Sequence, residues 1–424
     1  MKPSPVLDTS ERRITLAGLL PGLPRVLVVA AAAGLVLGAV LGARRGDDFR
    51  YFFHSYLTSY CFYLGISLGA LFFVAALHAT RAGWGVSVRR LGEIFAAGIG
   101  VLAVLFLPIL LPMLVPVLRG RSSLYAWAGP EGIGEGGALL DLRFKAAYLT
   151  VPFFALRALG YFAVWWLLAR FFLKHSTDQD ATGDPGLTIR MERWSGPALV
   201  TLGVTGTLAA FDWLMSLDAG WHSTIFGLYF YSGAVVAAFA ALILAAMGLQ
   251  AAGRLTTAIT AEHYHDLGKL LFSAVVFWGY MAFSQLLLIW YANIPEETQW
   301  YRRRLSGPWG WVALAVLLGN LLIPFFGLLS REVKRRKPLL AFWAAWLLVF
   351  HWIDLWWLVM PDLGSGDLMA DPGSGGLPPG LIDACLWVGV GCAYLAGVCY
   401  AAAGRALVPL RDPRLEEAMT FENT

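Results

Sequence analysis

Almost the whole chain is divided into ten apolar runs separated by short polar stretches. They cover roughly 24–43, 53–78, 91–116, 146–172, 196–217, 222–249, 268–291, 309–329, 339–360 and 381–404. A helix needs about 20 apolar residues to cross a bilayer core of about 30 Å, and each run reaches that length. Lipid offers the backbone no hydrogen-bond partner, so a spanning run must be helical. Of the 424 residues, 58% are hydrophobic and only 14% charged. That is more apolar surface than a soluble domain can cover. The expected fold is all-α: a polytopic membrane protein with about ten transmembrane helices over 24–404, between terminal segments 1–23 and 405–424.

Lys and Arg set the expected orientation. If the N-terminus is cytoplasmic, the segments on that side carry twenty basic residues and the opposite segments ten. The richest cytoplasmic segment is Arg331, Lys334, Arg335, Arg336 and Lys337. The opposite segments 218–221 and 361–380 hold none. The excess places both termini inside, which agrees with an even number of spans. Arg12-Arg13 and the small residues near Ala43 resemble a secretory signal, but the first run is longer than a signal core, so it is expected to stay as a span. A net charge of +4 points away from nucleic acid and toward lipid as the surrounding partner.

Local punctuation adds detail. Pro108, Pro112 and Pro116 predict kinks near the end of the third span. The stretch 176–189 reads as a polar linker, and 361–380, rich in Gly, Pro and Asp, as an irregular loop. Cys385, Cys392 and Cys399 are seven apart and share one helix face, the pattern of small packing residues rather than of an iron–sulfur ligand set. His54 and His78 form no bis-histidine pair for haem.

Ionisable groups at membrane depth are costly and mark candidate sites. On the side away from the termini, Asp212, His222, Gln285, His351 and Asp354 fall at similar depth. Arg157 lies within the fourth span with Tyr161 one turn on, and Asn320 is near the middle of the eighth. His351 and Asp354 share a face of the ninth span and could relay protons. The alternative is an interfacial aromatic belt with Trp352, Trp356 and Trp357. Asp212 reads either as a proton-path carboxylate or as a cap of its corner, and Arg157 either as part of the same path or as static glue paired with one carboxylate. On the terminal side, Glu262, His265, Asp266 and Lys269, with His263, gather at the entry to the seventh span. They read either as a proton mouth, which Glu93 could join, or as a helix cap at Asp266 beside a snorkelling Lys269.

Three stretches carry a family resemblance. The first is Phe211-Asp212-Trp213-Leu214-Met215-Ser216-Leu217-Asp218, continuing to Trp221-His222-Ser223-Thr224-Ile225-Phe226-Gly227. The second is His263-Tyr264-His265-Asp266-Leu267-Gly268-Lys269-Leu270-Leu271-Phe272. The third is Phe283-Ser284-Gln285, then Trp290-Tyr291-Ala292-Asn293-Ile294-Pro295-Glu296-Glu297. With them the chain resembles the NrfD/polysulfide-reductase-like membrane subunits, specifically the F-type subunit of alternative complex III, a bacterial quinol:cytochrome c or cupredoxin oxidoreductase. The resemblance implies two four-helix bundles, spans 2–5 and 6–9, and two peripheral helices. It implies no redox centre in this subunit, and haem c and iron–sulfur clusters in partner subunits. Those partners would be a paralogous NrfD-like membrane subunit, an iron–sulfur protein and c-type cytochromes, at the bacterial inner membrane. No quinone ligand can be carried over to a residue here. A stand-alone secondary transporter and a purely structural anchor are the competing readings.

Overall fold

A computed structural model describes residues 10–19, 22–115, 124–128, 145–363 and 379–423. Lys2, Pro116, Arg119, Arg121, Arg143 and most of the 361–380 loop lie outside them. Ten helices are long and apolar enough to span a membrane: α1 Leu23–Arg45, α2 Arg50–Ala79, α3 Gly83–Leu114, α4 Val151–Thr182, α5 Pro185–Leu217, α6 Phe226–Ala251, α7 Ala261–Ala292, α8 Pro308–Leu329, α9 Lys337–Leu363 and α10 Gly380–Ala402. The protein is an all-α, multi-pass membrane protein.

The helices form two four-helix rings. In one, α2, α3, α4 and α5 pack in sequence and α5 closes on α2; in the other, α6 to α9 do the same. Helices α1 and α10 pair outside the first ring, with α10 against α2 and α3. The two-bundle layout with two peripheral helices is therefore as expected.

Small residues explain the closest contacts. In lipid, helices associate through backbone approach rather than through hydrophobic exclusion. Gly65 and Gly69 of α2 lie one turn apart against Ala234 and Ala238 of α6, and a Cβ on Gly69 would stand 2.5 Å from the Ala234 carbonyl. The bundles are joined along this seam. Gly34 and Gly38 of α1 bring that helix onto Cys385 and Gly389 of α10; at Cys385 the thiol is a packing group. Tyr63 fixes α10 with a hydrogen bond to the Trp387 carbonyl at 3.1 Å, and Tyr394 with one to Phe95 O at 3.2 Å.

Two spans are interrupted. Helix α3 breaks at Phe106, just before Pro108 as that proline predicts, and also at Gly98, a break the prolines do not account for, while the helix continues through Pro112. Helix α8 contains a π turn, Leu318–Leu322, immediately before Pro324. The widened turn accommodates the missing proline donor. Trp346 Nε1 bonds the Gly319 carbonyl at 2.9 Å, and Asn320 donates to the Phe350 carbonyl at 3.2 Å, so α9 satisfies the distorted backbone and places Asn320 in a structural bond.

The expected linker 176–189 is mostly helix. Helix α4 continues to Thr182, Gly183 takes a left-handed φ of 71°, and α5 restarts at Pro185 under an Asp184 N-cap. Falling hydropathy marks where lipid ends, not where a helix ends.

Both chain ends meet on one face, here called the terminal face, through a Leu407 N to Ile14 O bond of 2.7 Å. The C-terminal segment crosses this face as a clasp. Asp412 accepts from Arg89 at 2.8 Å, Asp180 from Leu410 N at 2.7 Å, and Glu192 from Arg414 at 2.6 Å. Beneath it, Arg90 is fully buried between Glu93 at 3.0 Å and Asp180 at 2.8 Å. The chain's end reaches the second bundle, where Lys269 donates to Asn423 at 3.0 Å. Asp412→Ala is expected to cost about 2 kcal/mol, the scale of a hydrogen bond to a charged group. Limited proteolysis should then cut the tail sooner than in the parent protein; unchanged cleavage kinetics would mean that the clasp contributes nothing.

Candidate functional site

Asp212 lies in the last α-helical turn of α5, before the 3-10 turn Met215–Leu217 that leads to the corner, and is fully buried. Arg157 of α4 grips it with two parallel bonds, Nε to Oδ2 and a terminal nitrogen to Oδ1, both 2.8 Å. Tyr161, one turn further along the same face of α4, donates to Oδ2 at 2.7 Å. The guanidinium also bonds the Tyr148 carbonyl at 3.0 Å and stacks 3.7 Å from that ring's centre. Burial and the Asp212 carboxylate push the Tyr148 phenol up to about 12, so it remains neutral. The described partners of the Asp212 carboxylate are thus side chains. Asp218 makes the turn bond instead, accepting from Gly220 N at 3.1 Å. A bidentate pair of this kind is strong and geometrically fixed.

The second bundle holds a different site. Asp354 of α9 is 2% exposed and sits between α6 and α7. The Tyr229 hydroxyl donates to Oδ1, and Trp278 Nε1 donates to Oδ2 at 3.1 Å. Among the described residues, no Lys, Arg or His forms an ion pair with it. A buried carboxylate without a cation beside it relies wholly on hydrogen bonds. His351 stands three residues earlier on α9, also buried. Its ring occupies the notch left by Gly233 of α6 and faces Gly65 of α2, and its Nε2 has no hydrogen-bond partner among the described residues. It lies at the seam between the bundles rather than in an interfacial belt. No described hydrogen bond joins it to Asp354.

A separate polar group lies nearer the far face. Gln285 donates to the Tyr301 hydroxyl at 3.1 Å, and its oxygen accepts from Ser223 at 3.4 Å. Tyr301 belongs to a short amphipathic helix, Pro295–Leu305, that caps this end of the bundle. The helix is anchored by Arg304, fully buried, which bonds Asp362 at 2.6 Å and stacks over Trp300 at 3.8 Å. Burial pulls the Arg304 pKa down, and Asp362 works against that shift.

The remaining candidates lie apart. His222 is half exposed and comes no nearer than 4.0 Å to Glu297; no described bond links it to Asp212. On the terminal face, Glu262 pairs with Arg335 and Asp266 with Lys269, while His265 lies 4.0 Å from Asp266. Thr260 is the N-cap of α7, in a reciprocal capping box with His263, so Asp266 pairs along the helix rather than capping it. Glu93 is in the other bundle, within the Arg89–Arg90 network.

The structure therefore groups the candidates into separate clusters: Arg157 with Asp212, His351 and Asp354 on one helix, Gln285 with Tyr301, and the ion pairs of Glu262, Asp266 and Lys269. Among the described residues no set of three or more His, Cys, Asp or Glu could hold a metal ion. Reading the sequence missed Tyr229, Trp278 and Tyr301, because aromatic residues are unremarkable in an apolar run. It also missed Asp383, which accepts from Tyr51 at 2.7 Å; a lone acid inside the last apolar run was a visible signal. No known protein-family model and no curated protein sequence matches this chain.

Proposed function

We propose that this chain is an integral membrane subunit of a respiratory quinol:electron-acceptor oxidoreductase, related to the F-type subunit of alternative complex III and without redox centres of its own, in which the second bundle moves protons. Its partners would be a paralogous membrane subunit, an iron–sulfur protein and c-type cytochromes that carry the clusters and haem. Both termini would face the cytoplasm of a bacterial inner membrane. The motif stretches around Asp212, His263 and Gln285, together with the two-bundle layout, support the family reading.

One observation carries the proton reading: Asp354 is buried with hydrogen-bond donors and no described ion-pair partner. Exchange of a proton there changes only hydrogen bonding, whereas at Asp212 it would break a bidentate ion pair. From Asp354 the path would run by the side chains of Tyr229, Tyr301, Gln285 and Ser223 toward the far face. The terminal-face ion pairs of Glu262 and Asp266 would mark the opposite mouth.

The test is Asp354→Asn in the assembled complex. The expected result is fewer protons released per electron, with haem and iron–sulfur content unchanged. Equal proton stoichiometry and equal turnover would leave only an anchoring role. A secondary transporter is the rival that the interrupted α3 and α8 favour, since broken helices line many transport sites. These two spans occupy unlike places, second in one bundle and third in the other. Purification separates the readings: a transporter comes out alone, and a respiratory subunit brings haem c and iron–sulfur absorbance with it.

A further inference from the structure

Helix α7 packs against α8 from the π turn toward the terminal face, but the far half of α8 turns to α9 and to the helix Pro295–Leu305 instead. The two spans therefore splay, and a cleft of about 530 Å³ opens between them. Its walls are Ala282, Phe283 and Leu286 of α7 and Ala313, Leu314 and Leu317 of α8. Four of these six are exposed on the flank of the spanning helices, so the opening is lateral.

The floor is aromatic, and its polar atoms are engaged within the protein. The Tyr229 hydroxyl and Trp278 Nε1 are bonded to Asp354, Trp357 Nε1 donates to the Arg304 carbonyl at 3.1 Å, and Tyr301 accepts from Gln285. What remains for an occupant is ring faces and methyl groups, a surface matched to a hydrocarbon chain.

Charge identifies the other end of that occupant. Tyr301 and Leu305 of the short helix line the cleft, and Arg302 lies next to the first and one turn from the second. Arg303 pairs with Asp218 and Arg304 with Asp362. Arg302 is exposed and makes no ion pair among the described residues. Arg302 thus puts an exposed guanidinium on the same short helix that lines the apolar slot, a charge complementary to a phosphate.

We propose that this cleft is a specific phospholipid site: one acyl chain enters between α7 and α8, and an anionic headgroup meets Arg302. The site needs only the membrane setting and this geometry, and is independent of the proton reading.

The test uses the full chain, purified with whatever subunits accompany it and delipidated, then titrated with phosphatidylglycerol or phosphatidylcholine and read by native mass spectrometry. We expect one tightly held phosphatidylglycerol. Leu314→Trp, a half-exposed position on the cleft wall, should remove it by filling the slot. Arg302→Gln, a surface change that leaves the fold intact, should keep a lipid but lower the preference for phosphatidylglycerol by about tenfold, one charge-assisted hydrogen bond. Equal lipid retention by Leu314→Trp and the parent overturns the site, and an unchanged preference in Arg302→Gln overturns the headgroup assignment. Recovery of a neutral isoprenoid lipid in place of the phospholipid, or a partner subunit's helix found in the cleft, also overturns it.

Discussion

Leucine in place of Gly69 is expected to abolish accumulation of the folded protein. A Cβ there would already stand 2.5 Å from the Ala234 carbonyl and 2.6 Å from the Ala238 methyl. The first atom is backbone and cannot swing aside, so α2 and α6 must separate. The cost is at least about 3 kcal/mol, the upper end for an overpacked core. It falls on the seam that joins the bundles and against which His351 rests. Gly203 of α5 is the control, since a Cβ there meets nothing within 4 Å, and Gly203→Leu should be harmless. Detergent-solubilised yield and size-exclusion profile compare the two. Comparable monodisperse yields from both variants would show that this close approach does not govern bundle association.

Asp212→Ala is expected to cost about 3–5 kcal/mol, because it leaves Arg157 largely buried without its anion. The fall in thermal midpoint should be much larger than for Asp212→Asn, which still accepts from Tyr161. Adding Arg157→Met to Asp212→Ala should restore most of the loss, since an apolar replacement of the whole pair removes the orphaned charge. If the double variant is as unstable as the two single losses added together, the residues are not acting as a pair. The recovery would also bear on function, because a pair replaceable by apolar side chains with turnover intact is structural.

Much of the architecture was legible from the apolar runs, because lipid admits so few backbone solutions. The ten spans, the kinked α3 and the packing role of Cys385 followed from length, proline and spacing. The π turn in α8 did not: Pro324 is visible, but whether its helix kinks or widens depends on partners such as Trp346 and Phe350, far along the chain. Helix ends were also hidden, since α4 and α5 extend through the polar stretch 176–189.

The candidate site was legible residue by residue but not in its connections. Arg157 read as the partner of some carboxylate and Asp212 as a candidate by itself; that the two are doubly bonded to each other came from the structure. The sequence could not reveal that Asp354 is held by Tyr229 and Trp278 of two other helices, or that His351 faces glycines across the seam. Arg89, Arg90 and Arg304 were weighed only as signs of orientation. Basic residues at a membrane edge look alike in a sequence whether they reach water or a buried carboxylate.

The clasp has a consequence for biogenesis. Translation delivers Arg89, Asp180 and Glu192 long before Asp412, Leu410 and Arg414 leave the ribosome. Until then these charges lack their last counterparts and stay hydrated, so the first bundle cannot dry its rim on its own. The rim of the first bundle is completed only when residues 410–414 have been delivered to it. A nascent chain stalled after α10 would hold every spanning helix and still present an open, wet edge to quality-control proteases.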